Sequence, residues 1–316
     1  MAYSIAFDES TGYEPFAVYE GRELAVSVMA ARLALSLQAQ LGERVVRATR
    51  LSGGDINDAF RVELEGGGCW FVKSNPSAPA SLFPAEARGL EWLRAAHALR
   101  IPEVRAVCTP EDPIGYLVLE LVEVGRPGHD FDEQLGRGLA ALHRSGAPAF
   151  GLDHDNFIGS LPQKNQAAAD WSEFYRARRL EPQLERAVSS GSASYAMRRG
   201  FSRLFARLSE LVGAPEAPSR LHGDLWSGNL HVDSKGEPCL LDPAVYGGHR
   251  EVDLAMMRLF GGFSERVFSA YEEVFPLSPG ASERIALYQL YPLMVHVNLF
   301  GGGYGASVER ALARYA

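Results

Sequence analysis

His222-Gly223-Asp224-Leu225-Trp226-Ser227-Gly228-Asn229 is the segment on which the reading of this 316-residue chain turns. Four residues separate an aspartate from an asparagine, so a single loop offers a carboxylate and then a neutral amide oxygen. A carboxylate can take the proton of an acceptor hydroxyl. An amide oxygen is a hard ligand for a cation such as Mg²⁺ riding on phosphates. Taken alone, either residue could equally cap local backbone in an ordinary turn. A second carboxylate argues for chemistry: Leu240-Leu241-Asp242-Pro243-Ala244 places an aspartate directly after a short apolar run. That run is expected to pair with residues 230–232 across a Lys235-Gly236 turn. On this reading Asp224 is a base, and Asn229 and Asp242 are metal ligands.

Working upstream, Ser52-Gly53-Gly54-Asp55-Ile56-Asn57 separates two predicted strands, 45–51 and 59–64. Gly53 and Gly54 would let backbone N–H groups come close to phosphates. The segment lacks the G-x-x-x-x-G-K-[ST] pattern of a P-loop, and a plain hairpin turn remains open. Lys73 ends a third predicted strand, 69–73, where an ammonium could pair with nucleotide phosphates, although a strand-end lysine can also simply reach solvent. Glu86 follows 13 residues later on a predicted helix, 84–99, and could hold that lysine in place. Two more strands, 104–107 and 116–121, lead to Glu120-Leu121-Val122, where a hinge should lie and where backbone could read an adenine edge. A simple linker would look the same. In chain order these signals are Gly-rich turn, strand lysine, helix glutamate, H-G-D-x-x-x-x-N and strand-D-P. That is the order of a protein-kinase-like phosphotransferase using ATP and Mg²⁺.

Hydrophobic periodicity fills in the rest. A leading helix is predicted over 24–41 with Gly42 as its stop, and the later chain reads as largely helical over 131–143, 170–188 and 195–212. The expected fold class is therefore α+β and bilobal. Residues 23–122 would form a small antiparallel β-sheet lobe with one main helix, 123–316 a larger mostly α-helical lobe, and 1–22 an N-terminal extension.

The composition, 47% hydrophobic and 22% charged, is that of a globular protein. A formal net charge of −8 and the lack of a long Lys/Arg run leave no footprint for nucleic acid. An acidic protein that handles a nucleotide must then draw positive potential from a lysine, backbone N–H groups and a cation. Cys69, Cys108 and Cys239 form no C-x-x-C pair and suit a reducing cytosol. Residues 1–22 carry Asp8, Glu9, Glu14 and Glu20 and do not read as a signal peptide, and no run approaches the roughly 20 apolar residues of a membrane span. A cytoplasmic monomer is expected, with no nucleic-acid or membrane partner. The histidines, His143 and His296 among them, lack metal-ligand spacing and read as structural or solvent-facing.

Beyond the generic pattern, the loop 222–229, Asp242-Pro243-Ala244, His249-Arg250-Glu251-Val252-Asp253-Leu254-Ala255, Ile158-Gly159-Ser160-Leu161-Pro162-Gln163-Lys164-Asn165 with Trp171, and Tyr291 through Tyr304 resemble the fructosamine (ketosamine) kinase family from about Val45 to the C-terminus. The resemblance implies a protein-kinase-like fold related to aminoglycoside phosphotransferases. It also implies transfer of the γ-phosphoryl group of ATP to a sugar hydroxyl of a ketosamine, the 3-hydroxyl of a fructosamine or ribulosamine, which would contribute to deglycation. Carried over by position, Asp224 is the base, Asn229 and Asp242 hold Mg²⁺, Lys73 and Glu86 form an ion pair, and Gly53-Gly54 covers the phosphates. Trp226 walls the sugar site, and Asn165, with Asn156 and Gln163, contacts the acceptor unless these are plain turn residues. Asp253 either braces the catalytic loop or caps a helix. Two other readings stay open: a kinase of another polyhydroxylated amine, aminoglycoside or choline-like, for which Asp153 and Asp155 are available, and a non-catalytic nucleotide-binding interaction protein.

Overall fold

The computed structural model of the chain describes residues 28–51 and 57–315. The first helix, α1 (Val28–Leu41), ends at Gly42, whose φ of 71° lets its N–H turn back onto Gln38 O at 3.0 Å. Residues 24–27 of the predicted helix lie outside the described residues, as do Gly53 and Gly54 of the predicted phosphate-covering turn.

Strands β1 (Val45–Leu51), β2 (Asp58–Leu64), β3 (Cys69–Asn75), β4 (Val104–Val107) and β5 (Gly115–Glu120) form one antiparallel sheet in the order β1-β2-β3-β5-β4, with helix α2 (Leu82–Arg94) between β3 and β4 in the chain. Lys73 lies in β3, flanked by Ala59 of β2 and Leu117 of β5, so neighbours on both sides fix its backbone. Ala87, Leu90 and Leu93 recur at helical spacing on the buried face of α2. Glu86 therefore stands beside a face that packing holds in place. Burial of one Leu side chain stabilises by roughly 1.5–3 kcal/mol.

The remaining chain is mostly helical: α3 (Phe131–Arg144), α4 (Trp171–Phe174), α5 (Glu181–Ser189), α6 (Tyr195–Leu211), α7 (Glu251–Phe260), α8 (Glu265–Val274), α9 (Ala281–Tyr288), α10 (Leu290–Phe300) and α11 (Tyr304–Leu312). The stretch predicted as one helix over 170–188 is in fact α4 and α5 joined through a π-helical turn, Tyr175–Leu180, with Asp170 capping the start by accepting from Glu173 N at 2.9 Å. Three two-stranded pieces interrupt the helices. Strands β6 (Asn156–Ile158) and β7 (Leu161–Gln163) form a hairpin, β8 (Ser219–Leu221) pairs with β11 (Tyr246–Gly248), and β9 (Leu230–Val232) pairs with β10 (Pro238–Leu240). Only the last of these was expected.

Two apolar cores result. One joins the sheet and α2 to α3 and takes in Leu225, Leu240 and Val245; the other gathers Phe174, Tyr175, Phe201, Tyr246 and Tyr288 among the later helices. Leu225 and Leu240 sit one and two residues from Asp224 and Asp242. Apolar burial against the sheet side thus positions both aspartates.

Candidate active site

The loop that opens on His222 is held by one buried carboxylate. Asp253, in the first turn of α7, accepts from His222 N at 2.8 Å and Gly223 N at 2.9 Å, and meets His143 Nε2 at 3.2 Å. Those hydrogen bonds and the neighbouring histidines keep its carboxyl below the usual range, against the opposing effect of burial. Arg250, not Asp253, stands at the cap of α7, so the helix-cap alternative for Asp253 is set aside. His143 Nδ1 in turn meets Tyr271 OH at 2.8 Å, which orients the ring. Nothing in sequence spacing pointed to His143.

Gly223 has a φ of 82°, and a Cβ there would lie 2.0 Å from Ala244 O. The close approach lets Ala244 N donate to His222 O at 2.9 Å, and the His222 ring meets Leu241 O at 2.8 Å. The loop and the Asp242 segment are thereby stitched together on both sides. Asn229, at the C-terminal end of the loop, donates through Nδ2 to Asp224 O at 2.8 Å and lies 3.4 Å from both Asp224 Oδ2 and Asp242 O.

Asp242 adopts φ 54°, a left-handed conformation uncommon for a residue with a Cβ. Its carboxylate is half-exposed and pairs with Lys73, whose ammonium also donates to Glu86 Oε1 at 2.6 Å. Burial by itself would push the ammonium down, but Asp242 and Glu86 together hold it above its ordinary range. Among the described residues no cation pairs with Asp224 in this way. Desolvation and the neighbouring Asp242 charge push its carboxyl up to about 7. Among the described residues no group of three or more His, Cys, Asp or Glu side chains could hold a metal unaided. The pair Asp242 and Asn229 does fit Mg²⁺ shared with phosphates, since that ion usually takes one or two protein oxygens and completes its shell from substrate and water.

Trp226 lies at the loop's surface, 37% exposed, its ring edge-on to Phe260 at 6.4 Å. At the expected hinge, Glu120 ends β5 with its carboxylate 2.5 Å from Arg100, and Leu121 and Val122 follow half-buried. Arg100 also pairs with Asp233 of the β9–β10 turn, and Gly125 N donates to Val232 O at 2.9 Å. The segment after the sheet is thus fastened to the hairpin that carries Asn229 and leads to Asp242. Asn165 is elsewhere. It is fully buried, its Nδ2 donates to His154 O and Asn156 Oδ1, and its Oδ1 accepts from Arg179. All its polar atoms face protein, which removes it from contact with any acceptor. Asn156 and Gln163 are buried likewise, in β6 and β7 and not in turns.

A sequence model of the fructosamine kinase family matches residues 29–316. A chain from Enterococcus faecium assigned as a ketoamine kinase is 38% identical over 264 residues, 83% of this chain and 93% of that one. A chloroplastic protein-ribulosamine 3-kinase of Oryza sativa subsp. japonica is 37% identical over 297 residues, 89% of this chain and 86% of that one. Among solved structures, a protein from Thermobifida fusca assigned as a fructosamine-3-kinase superposes with a TM-score of 0.82 at 38% identity, covering 90% of this chain and 98% of its own. An aminoglycoside phosphotransferase in ternary complex with AMP-PNP and hygromycin B shares the fold, with a TM-score of 0.61 at 18% identity over 90% of this chain and 99% of that one. By family match, sequence identity and superposition together, the chain belongs to the fructosamine kinase family.

Proposed function

We propose that the chain is an ATP- and Mg²⁺-dependent kinase that phosphorylates a sugar hydroxyl, the 3-hydroxyl, of a ketosamine such as a fructosamine or ribulosamine, and so contributes to deglycation. The observation that carries this reading is the convergence on Asn229, which reaches both Asp224 and the backbone of Asp242, while Lys73 reaches Asp242 from the sheet. Base, cation site and phosphate-facing ammonium are within one another's reach, and phosphoryl transfer needs mainly such positioning and charge stabilisation.

In this scheme the acceptor hydroxyl lies against Asp224, which takes its proton as the oxygen attacks the γ-phosphorus and ADP departs. The raised carboxyl of Asp224 suits it to hold that proton near neutral pH. Lys73, kept charged by Asp242 and Glu86, faces the phosphates. Asp242 and Asn229 would hold Mg²⁺, which would supply positive charge to offset that of the phosphates. Trp226 offers an aromatic wall to the sugar, and backbone at Glu120, Leu121 and Val122 offers hydrogen bonds to the adenine.

An aminoglycoside or other polyamine acceptor would call for uncommitted carboxylates. Asp153 and Asp155 already accept from Arg88 at 2.9 Å and Lys164 at 2.7 Å. A non-catalytic binding role would leave a complete catalytic set unused. The test is ATP- and Mg²⁺-dependent phosphorylation of fructosyl- and ribulosyl-lysine beside an aminoglycoside. Ketosamine turnover is expected; turnover of the aminoglycoside alone would overturn the substrate assignment, and turnover of none would overturn the enzymatic reading for these acceptors.

A further inference from the structure

Behind the Asp242 segment lies a buried polar cluster that phosphoryl transfer as described above does not use. Gln163 Nε2 donates to Ala244 O at 3.0 Å and Asn156 Nδ2 to Val245 O at 2.9 Å, so the two carbonyls after Asp242-Pro243 are clamped from one side. The clamp is itself fixed. Gln163 Nε2 and Asn165 Nδ2 both donate to Asn156 Oδ1 at 2.8 Å, Tyr291 OH donates to Gln163 Oε1 at 2.6 Å, and Arg179 Nη2 donates to Asn165 Oδ1 at 2.7 Å.

Arg179 is the unusual member. It is fully buried and, among the described residues, no carboxylate pairs with it. Its guanidinium rests on the carbonyls of Lys164 at 2.7 Å and Arg178 at 3.0 Å and over the ring of Tyr246 at 3.8 Å. A buried charge without a counter-ion is costly. It is carried here by a π-helical turn, a distortion frequent at functional sites. What the cluster holds is a strained segment, since Asp242 occupies a left-handed conformation that persists only where the surroundings over-determine it.

We infer that Gln163, Asn156, Asn165 and Arg179 are positioning residues that hold the Asp242 carboxylate in the orientation required by the Mg²⁺ of a bound nucleotide. The inference rests on the reading of Asp242 as a metal ligand. Mg²⁺ demands near-octahedral geometry, and groups that orient a metal ligand typically change affinity by about 10- to 100-fold when removed. The motif that suggested acceptor contacts in the sequence therefore acts on the backbone two and three residues after the metal ligand, at Ala244 O and Val245 O.

The experiment measures Mn²⁺ affinity of the ATP-loaded full chain by electron paramagnetic resonance, alongside metal-free ATP binding and thermal stability. Gln163→Met removes the donor to Ala244 O. Gln163→Glu keeps the acceptor for Tyr291 and loses the same donor. Both are expected to weaken Mn²⁺ about 10- to 100-fold while metal-free ATP binding stays within about twofold. Asn156→Ser, which removes the bond to Val245, is read in the same way should the Gln163 variants fail to fold. Unchanged Mn²⁺ affinity in these variants, with a clear loss in Asp242→Asn, overturns the inference and leaves a purely structural cluster. Unchanged affinity in Asp242→Asn as well overturns the ligand assignment and the inference together.

Discussion

Lys73 and Asp242, 169 residues apart in the chain, form an ion pair that links the third strand of the sheet to the segment after β10. With Glu86 at 2.6 Å on its other side, the lysine is shared between two carboxylates before any nucleotide is considered. An ammonium so placed keeps its charge when the site fills with phosphate, and part of its pairing with Asp242 can pass to the nucleotide and its cation.

Lys73→Met would leave Glu86 facing Asp242 in a poorly solvated site. Removing one partner of a buried pair typically costs about 3–5 kcal/mol. Urea denaturation is expected to show a loss of that order, softened by the exposure of Asp242, together with loss of ATP binding by calorimetry. Unimpaired ATP binding would remove Lys73 from the phosphate site.

Gly223→Ala tests the stitching of the two segments. A methyl group there meets Ala244 O at 2.0 Å with the residue already at φ 82°. Backbone must move, and the bonds from His222 N and Gly223 N to Asp253 move with it. We expect kcat to fall at least about 100-fold, the loss that small misplacements of reacting groups can cause, with destabilisation of about 1–3 kcal/mol. Near-normal turnover would contradict the role given to this close approach.

Glu216 carries a pH dependence. Its carboxyl is lowered from 4.5 to about 2: burial opposes the shift, and bonds from Arg250 at 2.8 Å and Ser278 at 2.8 Å outweigh it. A depressed carboxylate stabilises the fold above its unfolded value, and the contribution, about 3 kcal/mol at 1.36 kcal/mol per unit, is lost as pH falls from 4.5 towards 2. Glu216→Gln should be less stable than wild type at pH 7, with the gap closing across that window in urea titrations. A gap independent of pH would show that the ion pair is not its source.

Much of this was legible in the sequence because the signals are local. Strands β1 to β5 announce themselves by alternation and turn residues, and the order of Lys73, Glu86, Asp224, Asn229 and Asp242 fixes the fold class. The bracing by His143 was not, since it depends on a contact between residues 110 positions apart. Strands β6, β7, β8 and β11 have three residues each, too few for a period of two to register, and β9 and β10, equally short, were read from the Lys235-Gly236 turn between them. The π-helical turn, Tyr175-Arg176-Ala177-Arg178-Arg179-Leu180, is built of residue types an ordinary helix accepts, so nothing in it marks the change of hydrogen-bond pattern. Asn156, Gln163 and Asn165 misled for a related reason: polar residues in a segment without a clear apolar period read as turn or surface, and only packing reveals that they are buried and pointing inward.

The central claim, that Asp224 is the base in a site able to bind nucleotide independently of it, is tested most directly by single-turnover phosphorylation of a ribulosamine by Asp224→Asn. The account predicts ATP binding within about threefold of wild type and a transfer rate lower by about 10² to 10⁴. Wild type should lose rate as pH falls below about 7, the value to which its surroundings push Asp224, while the variant should lack that limb. A variant that transfers phosphate at the wild-type rate, with the same pH profile, would contradict the account.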